Sequence, residues 1–241
     1  MRFLDFVTDL FYPPKCVFCG RVLDIGVRIG VCGMCRAEIE NLECPSSRDI
    51  AGAGFKTRYC DGMSAVYEYK GTIRQSVTRY KFQDKQSYFR TFAAIMAERL
   101  TSFDRIDYLV CVPMHRKKER KRGYNQSALL SEEISRILEI PERSEVLVKT
   151  VNLKSQSLST DISRYGNIFG AYSAAPGPEA ARTVKNATVL LIDDVITTGS
   201  TLNECARALK EAGASLVYAY ALATNKRELL TQNGHRQLEK S

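Results

Sequence analysis

Val189-Leu190-Leu191-Ile192-Asp193-Asp194-Val195-Ile196-Thr197-Thr198-Gly199-Ser200-Thr201-Leu202 is the stretch on which the fold turns. Its apolar start predicts a buried strand over 187–193. Two carboxylates stand at the C-terminal edge of that strand. A Thr-Thr-Gly-Ser-Thr turn follows and opens a helix over 199–212, with Gly213 as its natural stop. In open α/β sheets, ligands bind at that edge. Successive backbone N–H groups in the turn, with hydroxyls and a helix N-terminus, make a phosphate cradle. The carboxylates would repel a phosphate, so their partners are a neutral diol or a metal ion. A cradle beside a diol acceptor describes a ribose 5-phosphate. The bland alternative is a solvated Asp-Asp turn between core elements. No G-x-x-x-x-G-K-[ST] occurs, which argues against a P-loop ATPase or helicase.

The neighbouring segments fit the same architecture. Strands are expected over 64–69, 108–113 and 215–223, and helices over 72–81, 88–100 and 125–138, the last capped by Asn125. Buried strands alternating with amphipathic helices predict a parallel α/β sheet. Residues 3–11 have helical spacing up to Tyr12-Pro13-Pro14. Residues 173–182, with Pro176, Gly177 and Pro178, read as a loop, and the chain from 225 reads as a polar tail.

His115-Arg116-Lys117-Lys118-Glu119-Arg120-Lys121-Arg122 leaves the 108–113 strand at the same sheet edge as the acidic pair. It reads as a cationic loop able to close over pyrophosphate or to bind a nucleic-acid backbone. A solvated charged face is the plain alternative. Lys154, Gln156, Arg164 and Asn167 form a further polar segment.

Cys16-x2-Cys19 and Cys32-x2-Cys35 present four thiolates at the spacing of a tetrahedral metal site. Four sulfur ligands favour zinc, and a closed four-sulfur shell makes that zinc structural. Two disulfides or a redox pair are the competing readings. Cys44 and Cys60 read as core thiols, remnants of a second site or auxiliary ligands. Cys111 and Cys205 read as small core residues.

Composition bounds the rest. The 241 residues are 44% hydrophobic and 26% charged, as in globular proteins, with a net charge of +8. Acid and base balance over residues 1–63, so the basic surplus lies downstream and suggests a phosphate-bearing partner. Solubility alone is the alternative. No stretch approaches the roughly 20 apolar residues that span a bilayer, so no membrane insertion is expected. Asp5 and Asp9 break the apolar pattern that a signal peptide needs. The expected place of action is the cytoplasm. Three regions are expected: a helix and zinc ribbon over 1–62, an α/β domain over 63–224, and a tail over 225–241.

The 189–202 segment resembles the phosphoribosyl pyrophosphate (PRPP) signature of type I phosphoribosyltransferases. Taken with the four cysteines, Arg122-Gly123-Tyr124-Asn125-Gln126, and Gln156, Arg164 and Asn167, the chain is similar to the ComF family of late-competence proteins. Many ComF members carry a double ribbon. Here Ser47 stands where a partner of Cys44 would be. The resemblance implies a phosphoribosyltransferase-type parallel sheet and PRPP bound with magnesium. It implies a role in DNA uptake, with single-stranded DNA and a competence helicase as partners. On that reading Asp193 and Asp194 hold the ribose and stabilise positive charge on its ring. Thr197, Thr198, Gly199, Ser200 and Thr201 hold the 5-phosphate. Pro113, Met114, Arg116 and Lys117 face the pyrophosphate, and Lys118, Arg120, Lys121 and Arg122 face DNA. An active transferase acting on a nucleobase or other small nitrogenous acceptor is the alternative.

Overall fold

The structure is a computed structural model that describes residues 13–24, 26–27, 29–50, 55–83, 85–100, 105–150 and 169–230. The 3–11 helix, the tail beyond 230, and Lys154, Gln156, Arg164 and Asn167 lie outside the described residues.

Four parallel strands form the central sheet: β1 (Gly62–Glu68), β2 (Tyr108–Cys111), β5 (Thr188–Ile196) and β6 (Leu216–Thr224), in the order β1-β6-β5-β2. β5 and β6 are the inner strands. Their Val, Leu, Ile and Ala runs suit strands covered on both faces. Leu190 is paired with Tyr218 and Asp193 with Ala221. On its other side β5 is paired with β2 only as far as Cys111 opposite Ile192. A last hydrogen bond runs from the Val112 N–H to the Ile192 carbonyl. β5 then continues to Ile196 without that neighbour. The expected strand therefore runs three residues longer, and the carboxylates stand inside it at the step where β2 ends.

Alternate residues feed two cores, as the pleat requires. Val189 and Leu191 join Val110, Val217 and Ala219 in one core. That core is closed by α7 (Ser200–Glu211), α6 (Pro178–Val184) and the antiparallel pair β3 (Leu147–Lys149) and β4 (Tyr172–Ala174). Leu190 and Ile192 join Leu109 and Tyr220 in the other, beneath α2 (Gly71–Phe82), α3 (Tyr88–Arg99) and α5 (Gln126–Leu138). The expected loop over 173–182 is instead the end of β4 and most of α6. Pro178 opens α6 at its first turn, where its missing N–H costs nothing.

The cysteine-bearing segment packs into this second core. Its α1 (Gly33–Glu40) follows Cys32, which accepts from the Cys35 N–H as N-cap. Val17, Phe18, Val31 and Ile39 are buried with Ile73, Val77, Tyr80 and Phe92. The Phe18 and Phe92 ring centroids lie 6.2 Å apart. Ser76 donates to the Val17 carbonyl at 2.6 Å, and Arg79 donates to the Phe18 carbonyl at 2.6 Å.

Gly62, which begins β1, is fixed by space. A Cβ there would stand 2.4 Å from the Ile50 carbonyl oxygen and 3.0 Å from the Tyr218 ring. Gly62→Ala is expected to destabilise the fold by about 1–3 kcal/mol, the usual cost of overpacking. Thermal denaturation would show a fall of several degrees.

Candidate functional site

Successive residues of a strand point to opposite faces, and the two carboxylates divide accordingly. Asp194 faces α2 and pairs with Lys81, its Oδ1 2.7 Å from Nζ. Asp193 accepts from the Ser127 hydroxyl at 2.8 Å and from the Asp194 N–H at 2.9 Å. Burial, then the charge of Asp194, pushes the Asp193 carboxyl well above the usual carboxylate range. The Ser127 hydrogen bond and the Lys81 charge oppose that rise.

Ser127 is held by the start of α5. Asn125 caps that helix, its Oδ1 accepting from the Ser127 N–H at 3.1 Å, as expected. The Asn125 amide also donates to the Val112 carbonyl at 3.1 Å, tying the cap to the end of β2.

Thr197 and Thr198 are exposed after β5, and Gly199 is the N-cap of α7 at φ +79°. A side chain there would be strained and would meet Met63 Sδ at 3.1 Å. Gly199 offers α7 no side-chain cap, and Thr198 Oγ1 accepts from the Ser200 N–H at 3.3 Å. The hydroxyls of Thr198 and Ser200 lie 2.9 Å apart at its mouth. Thr201 stands in the first turn.

β2 ends at Cys111, two residues short of the expected 108–113, and Pro113 and Met114 follow after Val112. The basic run is a helix rather than a loop: α4 spans Arg116–Arg122. His115 caps it, Nδ1 accepting from the Lys117 N–H at 3.1 Å, and Gly123 ends it at φ +88°. Local capping at both ends fixes a segment that buries none of its residues. The helix separates the cations. Lys118, Lys121 and Arg122 line a cavity of about 540 Å³ with Lys81, Phe82 and Tyr124. Arg116, Lys117 and Arg120 are exposed and do not line it. A second cavity, of about 480 Å³, lies against Thr198, Gly199 and Ser200, with Phe55, Tyr59, Asn203 and Lys226 in its wall.

The four cysteines of the two pairs converge, their sulfur atoms all within 4.8 Å of one another. Cys19 Sγ and Cys32 Sγ are 3.7 Å apart. The edge of a tetrahedron with Zn–S bonds near 2.3 Å is about 3.8 Å. Backbone N–H groups of Cys32 and Cys35 point at the sulfurs of Cys16 and Cys32, as thiolate ligands require. The donor set therefore fits a metal ion such as zinc. None of the eight cysteines is joined in a disulfide, and the spacing of the cluster suits a metal site rather than S–S bonds. Cys44 and Cys60 stand outside the cluster, buried in the first core. Burial pushes both up to about 12, as for inert core thiols. Cys111 and Cys205 are likewise buried.

The phosphoribosyl transferase domain family matches residues 90–236, a span that holds β2, β5, the hydroxyl turn and α7. The chain belongs to that family. Its curated relatives bear out the ComF resemblance. Competence protein F of Haemophilus influenzae is 27% identical, over 88% of this chain and 98% of its own length. A DNA utilization protein, YhgH, of Escherichia coli O157:H7 is 25% identical over the same shares. Competence protein ComFC of Streptococcus pneumoniae is 28% identical over 66% of each chain. Among the described residues, no helix is long and apolar enough to cross a membrane.

Sequence reasoning missed three groups around the acidic pair and its neighbours. Lys81 carries no motif; only the fold brings α2 to β5. Ser127 lies one residue past the Asn125-Gln126 pair, so the motif pointed near it. Lys149, on β3, donates to the Tyr172 hydroxyl at 2.8 Å. Burial, then the Lys118 charge, lowers its pKa, and Asp193 acts the other way. Lys81→Met is expected to raise the Asp193 pKa further, because a favourable charge is lost. Carboxyl NMR titration would read that shift.

Proposed function

We propose that this ComF-type chain binds PRPP with magnesium at Asp193, Asp194 and the Thr197–Thr201 turn, and handles single-stranded DNA in the cytoplasm during DNA uptake. One observation carries the reading. The acidic pair at the step between β5 and β2 has the hydroxyl turn and α7 beyond it and a cationic cavity beside it. The ribose hydroxyls are neutral donors suited to carboxylates. The 5-phosphate suits the start of α7 and its hydroxyls. The pyrophosphate suits the residues after β2, Pro113, Met114, Arg116 and Lys117, and DNA phosphates suit Lys118, Arg120, Lys121 and Arg122. Magnesium bound with PRPP would supply charge neutralisation at the pyrophosphate. The names of the relatives, competence proteins and a DNA utilization protein, support the DNA role. A helicase partner follows from the family resemblance.

A transferase reading rests on the second cavity, whose aromatic and amide walls suit a flat nitrogenous acceptor. The acceptor nitrogen would form a bond to C1 of the sugar as the C1–O bond breaks and pyrophosphate leaves with its electron pair. Asp193 and Asp194 would stabilise the positive charge that develops on the ring.

Calorimetric titration with PRPP and magnesium, run beside a pyrophosphate-release assay with single-stranded DNA and with nucleobases, tests both readings. Binding without release is the expected result and supports a PRPP-dependent DNA-handling protein. Release dependent on a nucleobase favours the transferase. No PRPP binding overturns the site.

A further inference from the structure

Phe82 is the last residue of α2 and is 69% exposed. A single exposed apolar residue ordinarily needs no explanation. This one lines a built cavity. The Arg122 guanidinium lies over one face of the ring, 4.9 Å from its centroid. Lys118 and Lys121 line the same cavity, and among the described residues no carboxylate does. Among the described residues, the acid paired with a lining cation is Asp194, through Lys81.

The walls are held rigidly. Tyr124 donates to the Tyr80 carbonyl, and the Tyr80 ring packs edge-on against Phe92 at 5.5 Å. Arg122 is anchored by a hydrogen bond to the Gln126 side-chain oxygen. The same side chain's Nε2 is buried with no hydrogen-bond partner, an unused donor beside the anchored guanidinium. A platform locked from behind loses little freedom when something stacks on it.

An open aromatic face, a guanidinium behind it and flanking ammonium groups match one ligand chemistry: a π-surface joined to phosphates. Resting on the DNA reading above, we infer that this cavity is a stacking subsite for one base of a single strand. The base lies on the free face of Phe82, and the adjoining phosphates lie on Lys118 and Lys121. The subsite thereby meets the ribose site at Lys81, which lines the cavity and holds Asp194. A duplex buries its base faces and does not fit, so the subsite selects single strands or frayed ends.

The chain contains no tryptophan, so Phe82→Trp introduces a single tryptophan at the platform, excited at wavelengths where the tyrosines do not absorb. Oligothymidylate is expected to quench its emission, whereas an abasic strand of equal length does so weakly. Phe82→Ala is expected to weaken binding of fluorescein-labelled oligothymidylate by about 5- to 100-fold, the loss of one stacked base, with an unchanged salt slope. Lys118→Gln with Lys121→Gln should reduce that slope by roughly 1.4, at about 0.7 per phosphate contact on a single strand. Circular dichroism melts guard against misfolding. If Phe82→Ala binds DNA as the unaltered protein does, or abasic and normal strands quench alike, the stacking subsite is overturned while the DNA role stands. If the unaltered protein binds no single-stranded DNA, both fall, and PRPP binding is judged by its own titration.

Discussion

Asp193→Asn and Asp194→Asn, made together, are expected to abolish saturable PRPP binding, and each alone to weaken it about 10- to 100-fold. Hydrogen bonds to charged groups contribute roughly 1.5–3 kcal/mol each, and each carboxylate would accept from ribose. Calorimetry with magnesium reads the loss. A misfolded variant would give the same loss, so stability is the second readout, and there Asp193→Asn should move the opposite way. The folded state raises the Asp193 pKa. Between the ordinary carboxylate value and the raised one, folded protein holds a proton that the unfolded chain has released. Stability from this group is therefore greatest at low pH and declines as pH rises through that window. Asn carries no such charge and keeps an oxygen for the Ser127 hydroxyl. Asp193→Asn should thus melt above the unaltered protein at pH 8, and its advantage should vanish at pH 4. A variant that binds PRPP normally would exclude the carboxylates from the site.

The second large effect concerns the cysteines. Stripping metal with a strong chelator, or replacing Cys35 by Ser, is expected to lower the melting temperature by on the order of 10 °C or more. Structural zinc in small domains binds with about 10–16 kcal/mol, comparable to the whole stability of a domain. Cys35 is buried, and the apolar residues around the cluster belong to the core shared with α2 and α3. The loss should therefore spread beyond the cysteine segment to Tyr80 and Phe92. Metal analysis should find one zinc per chain, and hydrogen exchange should show α2 and α3 losing protection in the metal-free protein. A chelated protein with an unchanged melt would show that hydrogen bonds and packing hold the sulfurs without metal.

Much of this was legible along the chain, for local reasons. Leu190 to Asp194 announces a buried strand with a charged exit, and Gly199 and Gly213 punctuate the helix that follows. Cysteine spacing is local as well. Segments whose signals conflict were less legible. Residues 116–122 have no apolar periodicity, so nothing in hydrophobic pattern marks a helix; the His115 cap and Gly123 stop decide it. Gly177 and Pro178 read as loop residues, yet Pro at a first helical turn starts α6. Lys81 and Lys149 were not legible, since only the packing of separate elements brings Lys81 to Asp194 and Lys149 to Tyr172. Phe82 was hidden for the opposite reason. An aromatic at the end of a helical run suggests core, and only the fold leaves it at the surface.

The contact between α2 and the cysteine segment bears on how such chains diverge. Within one helix, Ser76 and Arg79 grip the carbonyls of Val17 and Phe18, while Lys81 and Phe82, about a turn further on, serve Asp194 and the cationic cavity. An insertion that altered the reach of the first Cys pair would rotate or withdraw the same helix that presents Lys81. The ribbon is accordingly a poor candidate for grafting. A chimera joining a relative's cysteine segment to this sheet should purify folded only if residues 71–82 travel with it, because the two regions pack as one unit.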